Sequence, residues 1–453
     1  MPLVERIYPP VFRNIVFPLA EFREHTHVQQ CLSFLEKTQW MKPDEIRALQ
    51  DKKLKSLIHH AYRNVPYYHK VFNSLNLSPE DIRTRDDLKK LPCLTKDIIR
   101  KNAKDLVATN AADFFPMEAH SSGTTGEPLR FLITKSAYSI GWAQSFRCWG
   151  WGGFRLGDPY VKISPERRSG VVKRIQDGIM HTRFISALDL NEESISGKIR
   201  EIAAFRPVLI RSYASPMFLM AKYAHERDLD GFVPKVITTT GEKLLPSYRS
   251  TIESAFRCKV LDAYGGESTP LAFECDHHEG YHLCEESAVV EILKNGSPAN
   301  PGEMGEIAFT NLDNYAMPFI RYTLGDLGTF SEETCSCGRG LGLLESIEGR
   351  SSDIIITPER NVLVVNFFTD LFKNIPGVDQ FQIVQENTDE VTIRIVKNQV
   401  FSEKACTQIT DEIRKYAGEN FKIRFEYPDS IGLTGSGKRR FIISKVPLDV
   451  LWK

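Results

Sequence analysis

Apolar and polar residues alternate along the middle of the chain with two different periods. Short apolar runs, typical of buried strands, are separated by longer segments in which apolar residues recur every three or four positions, as on one face of a helix. The predicted strands are residues 159–163, 182–185, 208–210, 236–238 and 260–261, and the predicted helices between them include residues 217–224 and 248–256. This alternation predicts an α/β fold, in which mostly parallel sheets are flanked by helices.

The pattern changes after residue 349. Residues 391–396 and 422–425 are predicted to be strands, and residues 403–416 an amphipathic helix between them. About a hundred residues of this kind can form a small α+β domain. We therefore expect three regions: an N-terminal extension (1–50), a large domain (51–349) and a small C-terminal domain (350–453).

Composition and charge narrow the class of protein. Of 453 residues, 42% are hydrophobic, and 58 basic residues balance 58 acidic ones. Because the net charge is zero, no bulk charge attracts the chain to nucleic acid or anionic lipid. No apolar stretch is long enough to span a membrane, and the N-terminus lacks the charged and apolar sections of a signal peptide, so we expect a cytoplasmic protein. Nine cysteines, an odd number in a long chain, argue against a disulfide framework.

A loop rich in hydroxyl groups and glycines precedes the apolar run 129–133. Hydroxyl groups donate to phosphate oxygens, and glycines let backbone N–H groups approach the same oxygens. The loop is therefore a candidate phosphate site, although an ordinary hairpin turn has a similar composition. It is not a Walker loop, because no Gly-Lys-Ser/Thr sequence closes it. The candidate residues are Ser121, Ser122, Gly123, Thr124, Thr125 and Gly126.

Two further polar segments directly follow predicted strands. One contains Gly241 and Glu242, and the other contains Tyr264, Gly265 and Glu267. Ligands of parallel sheets collect beyond the carboxyl ends of the strands. We therefore expect a nucleotide near these two segments.

Four segments occur in an order that resembles a known superfamily of enzymes. They are the loop at 121–126, Arg-Tyr-Thr-Leu-Gly-Asp-Leu at 321–327, Gly-Arg-Ser-Ser-Asp at 349–353 and Gly-Ser-Gly-Lys at 435–438. Together they resemble the adenylate-forming (ANL) superfamily. Through residues 57–68 and 91–100 the chain is most similar to its phenylacetate–CoA ligase branch, including the CapK-like adenylating proteins of polysaccharide biosynthesis. The resemblance runs from about residue 57 to Lys438.

This resemblance implies an activity. It implies ATP- and Mg²⁺-dependent adenylation of a carboxylic acid, which yields an acyl-AMP and pyrophosphate. The acyl group then passes to a thiol, with coenzyme A as the first expectation and a carrier thiol or an amine as the other acceptors. The small C-terminal domain would be mobile and would swing about a hinge at residues 351–353. The oligomeric state, a homodimer among the options, stays open.

Two other functions remain open. One is a ligase that passes an amino acid or another carboxylate to an amine or a sugar in surface polysaccharide biosynthesis. The other is a catalytically inactive relative that acts as a binding protein. Retention of Lys438, Asp326 and the phosphate loop argues against the inactive relative.

The resemblance also assigns roles to single residues. Lys438 matches the mobile catalytic lysine, and a point charge on a flexible stem suits the stabilisation of developing negative charge. Asp326 matches the aspartate that accepts from the ribose hydroxyls. Arg350 matches an arginine that contacts the nucleotide, and Tyr264 matches the aromatic residue that stacks on adenine.

The magnesium ligand departs from the usual pattern. The family places a glutamate four residues after the adenine-binding tyrosine, where this chain has Ser268. Glu267 lies one residue earlier, so a one-residue deletion restores the match. This realignment makes Glu267 the predicted magnesium ligand.

Cysteine and histidine residues in two clusters suggest a structural zinc site. Three thiolates and one imidazole make a closed tetrahedral shell, and the branch that the chain resembles often carries this arrangement. Unrelated buried thiols are the alternative, and Cys284, His277 and His278 are competing ligands. The predicted ligands are Cys275, His282, Cys335 and Cys337.

The acyl pocket is the part of the site that the sequence defines least. An apolar or aromatic carboxylate is expected from the branch that the chain resembles. Ordinary core packing explains the candidate lining residues equally well. Those candidates are Trp142, Phe146, Trp149, Tyr213 and Ser215.

Overall fold

The structure is a computed structural model, and it describes most of the chain. The described residues are 3–120, 129–164, 170–187, 192–226, 232–300, 302–350, 354–359, 361–363, 365–373, 375–432, 440–446 and 450. Among them, no helix combines the length and the apolar character needed to cross a membrane.

Twenty strands are present in the described part of the chain. They are β1 Pro116–His120, β2 Arg130–Thr134, β3 Tyr160–Ser164, β4 Thr182–Ser186, β5 Leu209–Ser212, β6 Val236–Thr240, β7 Lys259–Gly266, β8 Thr269–Glu274, β9 Tyr281–Leu283, β10 Ala288–Lys294, β11 Ser297–Pro298, β12 Gly305–Asn311, β13 Tyr322–Phe330, β14 Leu343–Arg350, β15 Ile355–Ile356, β16 Val362–Leu363, β17 Val378–Asn387, β18 Glu390–Lys397, β19 Lys422–Glu426 and β20 Ile442–Ser444.

Thirteen α-helices accompany these strands within the described ranges. They are α1 Leu3–Val11, α2 Phe17–Glu24, α3 Val28–Thr38, α4 Pro43–Asn64, α5 Pro66–Ser74, α6 Lys96–Lys101, α7 Lys135–Trp151, α8 Val171–Ile179, α9 Glu192–Phe205, α10 Ala214–Glu226, α11 Pro246–Phe256, α12 Val365–Lys373 and α13 Glu403–Ala417. A π-helical segment, Phe12–Val16, joins α1 to α2, and short 3₁₀ helices span Pro79–Asp81, Arg85–Lys90 and Ala111–Phe114.

A twelve-stranded sheet dominates the large region. Its strand order is β11-β10-β12-β13-β14-β9-β8-β7-β6-β5-β3-β4. The five strands β4, β3, β5, β6 and β7 pair in parallel. From β7 to β11 every pairing is antiparallel. The predicted α/β fold with a large, helix-flanked sheet is confirmed, with the parallel pairing confined to one half of the sheet.

The parallel half is held by apolar helix faces, as its sequence pattern requires. In α9, Ile195, Ile199 and Ile202 recur at helical spacing, and each is at most 2% exposed. They belong to the same buried cluster as Ile210 of β5 and Ile237 of β6. Burial of an aliphatic side chain of this size contributes roughly 1.5–3 kcal/mol.

The first fifty residues form helices that pack on the large region. Helix α3 lies along α7, beside a buried ion pair of the large region. The Arg147 guanidinium and the Glu286 carboxylate are 2.6 Å apart, with side chains 1% and 0% exposed. Thr38 of α3 donates to the same carboxylate at 2.8 Å, and Arg147 also donates to the Leu35 carbonyl. The two parts thus share one buried polar network.

The C-terminal region has its own sheet and core. Its four strands have the order β19-β18-β17-β20, and α12 and α13 contribute to the same buried cluster. Leu245, at the start of α11, is buried in that cluster as well. The rings of Tyr248 and Phe441 approach to 6.4 Å between centroids. The C-terminal region therefore packs on α11, beside the carboxyl ends of the parallel strands.

Candidate active site

A cavity of about 760 Å³ opens where the parallel strands end. Parallel strands place their carboxyl ends at one edge of a sheet, and the sequence expectation was a ligand at this edge. The segments after β6 and β7 line the cavity, and Arg440 and Phe441 of the C-terminal region line it as well. Both regions thus contribute to one enclosed space.

The cavity brings Tyr264 of β7 together with Asp326 of β13. The Tyr264 hydroxyl donates to Asp326 Oδ2 at 2.8 Å, and both residues line the cavity. The register of β13 and β14 pairs Asp326 with Arg350, whose side chain lies outside the described residues. The three predicted nucleotide contacts Tyr264, Asp326 and Arg350 are far apart in sequence. The side-chain contact and the strand pairing bring their backbone segments together.

The two glycines after Tyr264 are required by close packing. A Cβ at Gly265 would lie 2.6 Å from the Thr269 carbonyl oxygen, and one at Gly266 would lie 2.3 Å from a methyl group of Leu324. Neither contact is tolerable for a real side chain. The glycines let β7 lie close to its neighbours while its end faces the cavity.

Glu267 presents a buried carboxylate at the cavity. Its side chain is 4% exposed, and Lys96 lies 3.4 Å from Oε1. The Tyr322 hydroxyl donates to the same oxygen at 3.0 Å. Within the described chain Oε2 is buried without a partner. Burying an unpaired charged oxygen is costly, so this atom suits a bound cation. Lys96 was not predicted, although it lies in the segment 91–100.

Glu267 and Ser268 both have left-handed backbone conformations, with φ of +49° and +62°. Such a conformation is strained for residues with a Cβ. The tight turn follows β7 directly, and both residues line the cavity. It allows the Glu267 side chain, rather than a residue farther along, to contact Tyr322.

Gly241 and Glu242 also line the cavity. The Glu242 carboxylate accepts from the Ser215 backbone N–H at 2.8 Å and from the Ser215 hydroxyl at 3.0 Å. This pair connects the end of β6 to the first turn of α10. Glu242 therefore orders the rim of the site, in addition to the nucleotide contact that the sequence predicted.

A buried acidic cluster lies in the middle of β7, and the sequence assigned no role to its members. Asp262 is 6% exposed and lines the cavity. Thr239 and Tyr281 donate to it at 2.6 Å and 3.0 Å. Burial, followed by the neighbouring Glu274 carboxylate, raises the pKa of Asp262 to about 7. A charged residue straight after the apolar pair 260–261 was the signal that the sequence offered.

The four predicted zinc ligands converge. Their ligand atoms all lie within 4.8 Å of one another. The Cys275 and Cys335 sulfurs are 3.7 Å apart, and the Cys337 sulfur is 3.3 Å from His282 Nε2. Zinc–sulfur bonds of about 2.3 Å in a tetrahedron place sulfurs about 3.8 Å apart, so the donor set fits the ion. Burial, aided by Arg339 and Arg147, lowers the pKa of His282 to about 4, which keeps the imidazole neutral as a ligand must be.

The competing ligands have other partners. Cys284 packs in a buried cluster with Cys148 and Phe273. His277 contacts the Ser336 hydroxyl at 2.7 Å, and His278 lies 3.2 Å from the Arg249 guanidinium. The structure thus groups the four residues chosen from the sequence and separates the other three.

Several predicted residues cannot be placed. The hinge at 351–353 lies outside the described residues. So do Lys438 and the phosphate-loop residues Ser121, Ser122, Gly123, Thr124, Thr125 and Gly126. The strands that flank the loop are paired, since His120 of β1 lies opposite Arg130 of β2. His120 itself lines the cavity.

Four of the five predicted acyl-pocket residues line the cavity: Trp142, Trp149, Tyr213 and Ser215. Phe146 lies on the same helix, α7, and is 6% exposed. It packs against Phe17, Trp142 and Trp149 in the core instead. Positions 142, 146 and 149 share one side of α7, so helical spacing alone did not separate Phe146 from the two tryptophans.

Comparison with known proteins places this geometry in a family. The phenylacetate–coenzyme A ligase of Escherichia coli (strain K12) is 30% identical over 338 residues, which are 70% of this chain and 74% of the relative. Protein CapK of Staphylococcus aureus is 24% identical over 413 residues, 89% of this chain and 90% of the relative. The family model described as the CapK C-terminal domain matches residues 355–445.

Solved structures share the fold. A 2-hydroxyisobutyryl-CoA ligase in the postadenylation state, in complex with R3-HIB-AMP, superposes with a TM-score of 0.72 at 18% identity. The match covers 91% of this chain and 92% of the ligase. With the level of identity to the Escherichia coli relative, these findings show that the chain belongs to the phenylacetate–coenzyme A ligase family of adenylate-forming enzymes.

Proposed function

We propose that this protein uses ATP to activate a carboxylic acid and then transfers the acyl group to coenzyme A. In the first step a carboxylate oxygen attacks the α-phosphorus of ATP, and pyrophosphate leaves. In the second step the thiol attacks the acyl carbon, and AMP leaves. The observation that carries the proposal is the cavity at the strand ends, where Tyr264, Asp326 and Glu267 meet. The names of the relatives support it.

Nucleotide binding is assigned to residues of β7, β13 and β14 and to the loop at 121–126. Asp326 accepts from the ribose hydroxyls, a task suited to an ionised carboxylate with several lone pairs. Its contact with the Tyr264 hydroxyl orients one carboxylate oxygen and fixes the tyrosine ring, which stacks on adenine. Arg350 lies beside Asp326 in the register and contacts the same nucleotide. The loop at 121–126 binds the phosphates through its hydroxyl and backbone N–H groups.

Glu267 is assigned to the magnesium ion that accompanies ATP. Its Oε2 is the buried oxygen without a partner, and Tyr322 and Lys96 hold the other oxygen. When bound, the ion would neutralise charge on the phosphate oxygens. Lys438 would stabilise negative charge that develops during adenylation, because a lysine is a mobile point charge.

The C-terminal region, residues 350–453, is proposed to move between the two steps. Lys438 belongs to this region, so it can act in one orientation and leave the site in the other. Lys438→Ala should then abolish adenylation and largely spare transfer from a supplied acyl-adenylate. Equal loss of both half-reactions in a folded variant would remove the assignment.

Zinc is proposed as a structural ion held by Cys275, His282, Cys335 and Cys337. The donor set and its spacing support a closed four-ligand site. The ion would join the loop after β8 to the loop between β13 and β14, which are far apart in sequence. These loops flank β9, whose Tyr281 contacts Asp262 in the cavity wall.

A second candidate function rests on the CapK likeness. In that case the adenylated acid, an amino acid among the options, is transferred to an amine or a sugar of a surface polysaccharide. Both candidates share the first half-reaction and differ in the acceptor. A homodimer remains a prediction that light scattering on the purified protein can test.

Exchange of labelled pyrophosphate into ATP tests the proposed function. A panel of aromatic, aliphatic and amino acids should contain members that stimulate exchange in a magnesium-dependent manner. Asp326→Asn should weaken exchange with every acid, because the ribose contact does not depend on the acyl group. If no acid stimulates exchange in protein that still binds AMP, the remaining interpretation is a catalytically inactive relative that acts as a binding protein. Product analysis with coenzyme A and with hydroxylamine then separates the two acceptors.

A further inference from the structure

We propose that the acyl substrate carries a second anionic group, which Arg211 binds at the end of the cavity away from the nucleotide. This inference rests on the proposed adenylation and names its substrate class. The family name leads one to expect an apolar aromatic acid as the substrate. One part of the cavity wall does not fit such an acid, and it is formed by a row of residues on β3, β5 and β6.

Three side chains form this row. The parallel registers pair Lys162 with Arg211 and Arg211 with Thr238. Residues in register on neighbouring parallel strands point to the same face of a sheet. Lys162, Arg211 and Thr238 therefore lie side by side, one or two residues before the carboxyl ends of their strands. Arg211 and Thr238 line the main cavity, and Lys162 and Arg211 line a smaller pocket of about 80 Å³ beside it.

The Arg211 guanidinium is held by an aromatic ring rather than by a carboxylate. It lies over the Trp149 ring, 5.9 Å from the centroid. In the described part of the chain no acidic side chain forms an ion pair with Arg211. An indole ring attracts a guanidinium without occupying its N–H donors as a carboxylate would, so those donors can bind a ligand. The planar guanidinium matches a carboxylate.

Thr238 adds a second polar atom without a partner. Its side chain is 2% exposed, and its hydroxyl has no hydrogen bond among the described residues. A buried hydroxyl without a partner costs roughly 1–3 kcal/mol, so a ligand that accepts its hydrogen bond is favoured. Guanidinium and hydroxyl together provide donors for one oxyanion.

Lys96, Lys243 and Glu242 of the cavity are already engaged. Lys96 lies beside Glu267, and Lys243 beside Glu348 at 2.5 Å. The Glu242 carboxylate accepts two hydrogen bonds from Ser215. Asp262 pairs in register with Thr239, one residue on from Thr238, and thus belongs to the opposite face of the sheet. Arg211 is therefore the group in this wall whose charge calls for an external anion.

The position of Arg211 sets the length of the substrate. β5 is two strands from β7, so these strands lie roughly 10 Å apart. A reacting carboxylate beside the end of β7 and an anion at Arg211 are thus separated by about one aromatic ring. Trp142 and Trp149 line the cavity between helix α7 and the strands and offer apolar walls for such a ring. A para-substituted aryl acid with a second carboxylate has the required chemistry.

Four probes and three variants test the proposal. The probes are phenylacetate, 4-carboxyphenylacetate, its neutral isostere 4-carbamoylphenylacetate and the cationic 4-(aminomethyl)phenylacetate. The variants are Arg211→Gln, Arg211→Glu and, as a control, Arg200→Gln on the exposed side of α9. Each protein is assayed by pyrophosphate exchange, and binding of 4-carboxyphenylacetate in the presence of AMP is measured by calorimetry.

The wild-type protein should prefer the carboxylated probe over its amide isostere. Loss of a charge-assisted hydrogen bond costs roughly 1.5–3 kcal/mol, so Arg211→Gln should reduce that preference roughly ten- to 150-fold in kcat/KM. Phenylacetate has no second anion, so its kcat/KM should fall less than that of the carboxylated probe. Arg211→Glu should shift the preference toward the cationic probe, and Arg200→Gln should behave as wild type. A merely structural arginine would instead lower activity with all four probes equally.

Two results would overturn the inference. One is a ratio of kcat/KM for the carboxylated probe to kcat/KM for the amide probe that is the same in wild type and Arg211→Gln. The other is equal calorimetric affinity of both proteins for 4-carboxyphenylacetate. If no acid stimulates exchange in any variant, the proposed adenylation fails. The calorimetric comparison still decides the inference about Arg211 in that case.

Discussion

Replacing Glu267 by glutamine should separate adenylation from nucleotide binding. The substitution keeps the shape of the side chain and an oxygen for the Tyr322 hydroxyl, which donates to Glu267 at 3.0 Å. It removes the negative charge from a position that is 4% exposed and has one oxygen without a partner. An interaction with a charged group typically contributes roughly 1.5–3 kcal/mol, which corresponds to about a ten- to 150-fold change.

The assay compares two quantities in the same protein. The rate of pyrophosphate exchange should fall by that factor in Glu267→Gln, and part of it should return at high Mg²⁺ concentration. Affinity for a non-hydrolysable acyl-adenylate analogue should change by less than about threefold, because the analogue contains no pyrophosphate to share the ion. Tyr322→Phe is the matched control, since it removes a donor and leaves the charge in place.

The realignment of Glu267 would be refuted by the opposite pattern. If Ser268→Ala selectively lost exchange while Glu267→Gln behaved as wild type, the ligand would be the residue at the usual family position. Equal loss of exchange and analogue affinity in Glu267→Gln would assign the residue to folding of the site instead.

Three further outcomes are expected. Metal analysis of the purified protein should find about one zinc ion per chain. The Cys335→Ser variant should lose this ion, and the Cys31→Ser variant should retain it. Absence of zinc from protein prepared without chelators would contradict the site. Glu286→Gln should lower the free energy of unfolding by about 3–5 kcal/mol in urea titration, because it leaves the Arg147 guanidinium buried without its carboxylate. A loss below about 1 kcal/mol would contradict a contribution of this network to stability. The pKa of Asp262 is raised from 3.8 to about 7, so folding favours the neutral carboxyl group. The contribution of this group to folding stability is therefore complete below about pH 4 and is lost as the pH rises through 7. Asp262→Asn should therefore gain stability over wild type between pH 4 and pH 8, and parallel pH profiles would contradict this sign.

The parallel half of the sheet could be predicted because its signals are local. The strand predicted at 236–238 is β6, Val236–Thr240, and the helix predicted at 403–416 is α13, Glu403–Ala417. Apolar runs and helical spacing are properties of neighbouring residues, so one sequence suffices to find them. Tyr264 was expected just after the strand predicted at 260–261, whereas β7 continues to Gly266 and includes it.

Features that depend on distant contacts could not be predicted. The oxygen of Glu267 without a partner is defined by Tyr322 and Lys96, which lie far away in the sequence. The raised pKa of Asp262 depends on burial and on Glu274, which reaches it only through the antiparallel pairing of β7 with β8. Sequence periodicity does not encode such cross-sheet neighbours.

The first fifty residues illustrate the same limit. The sequence predicted only an N-terminal extension there, without a role or a partner. The contact with α7 passes through Arg147 and Glu286, and each is a charged residue that composition alone would place on the surface. Only the fold shows that the two charges are buried together.

Transfer of oxygen from the acid to AMP tests the proposed adenylation most directly. The protein is incubated with ATP, Mg²⁺, coenzyme A and a substrate acid whose carboxylate carries ¹⁸O, and the products are analysed by mass spectrometry. Because the carboxylate oxygen attacks the α-phosphorus and stays there when the thiol displaces AMP, one ¹⁸O atom per turnover should appear in AMP and none in pyrophosphate. Label in inorganic phosphate together with ADP, or AMP formed without label, would contradict the acyl-adenylate.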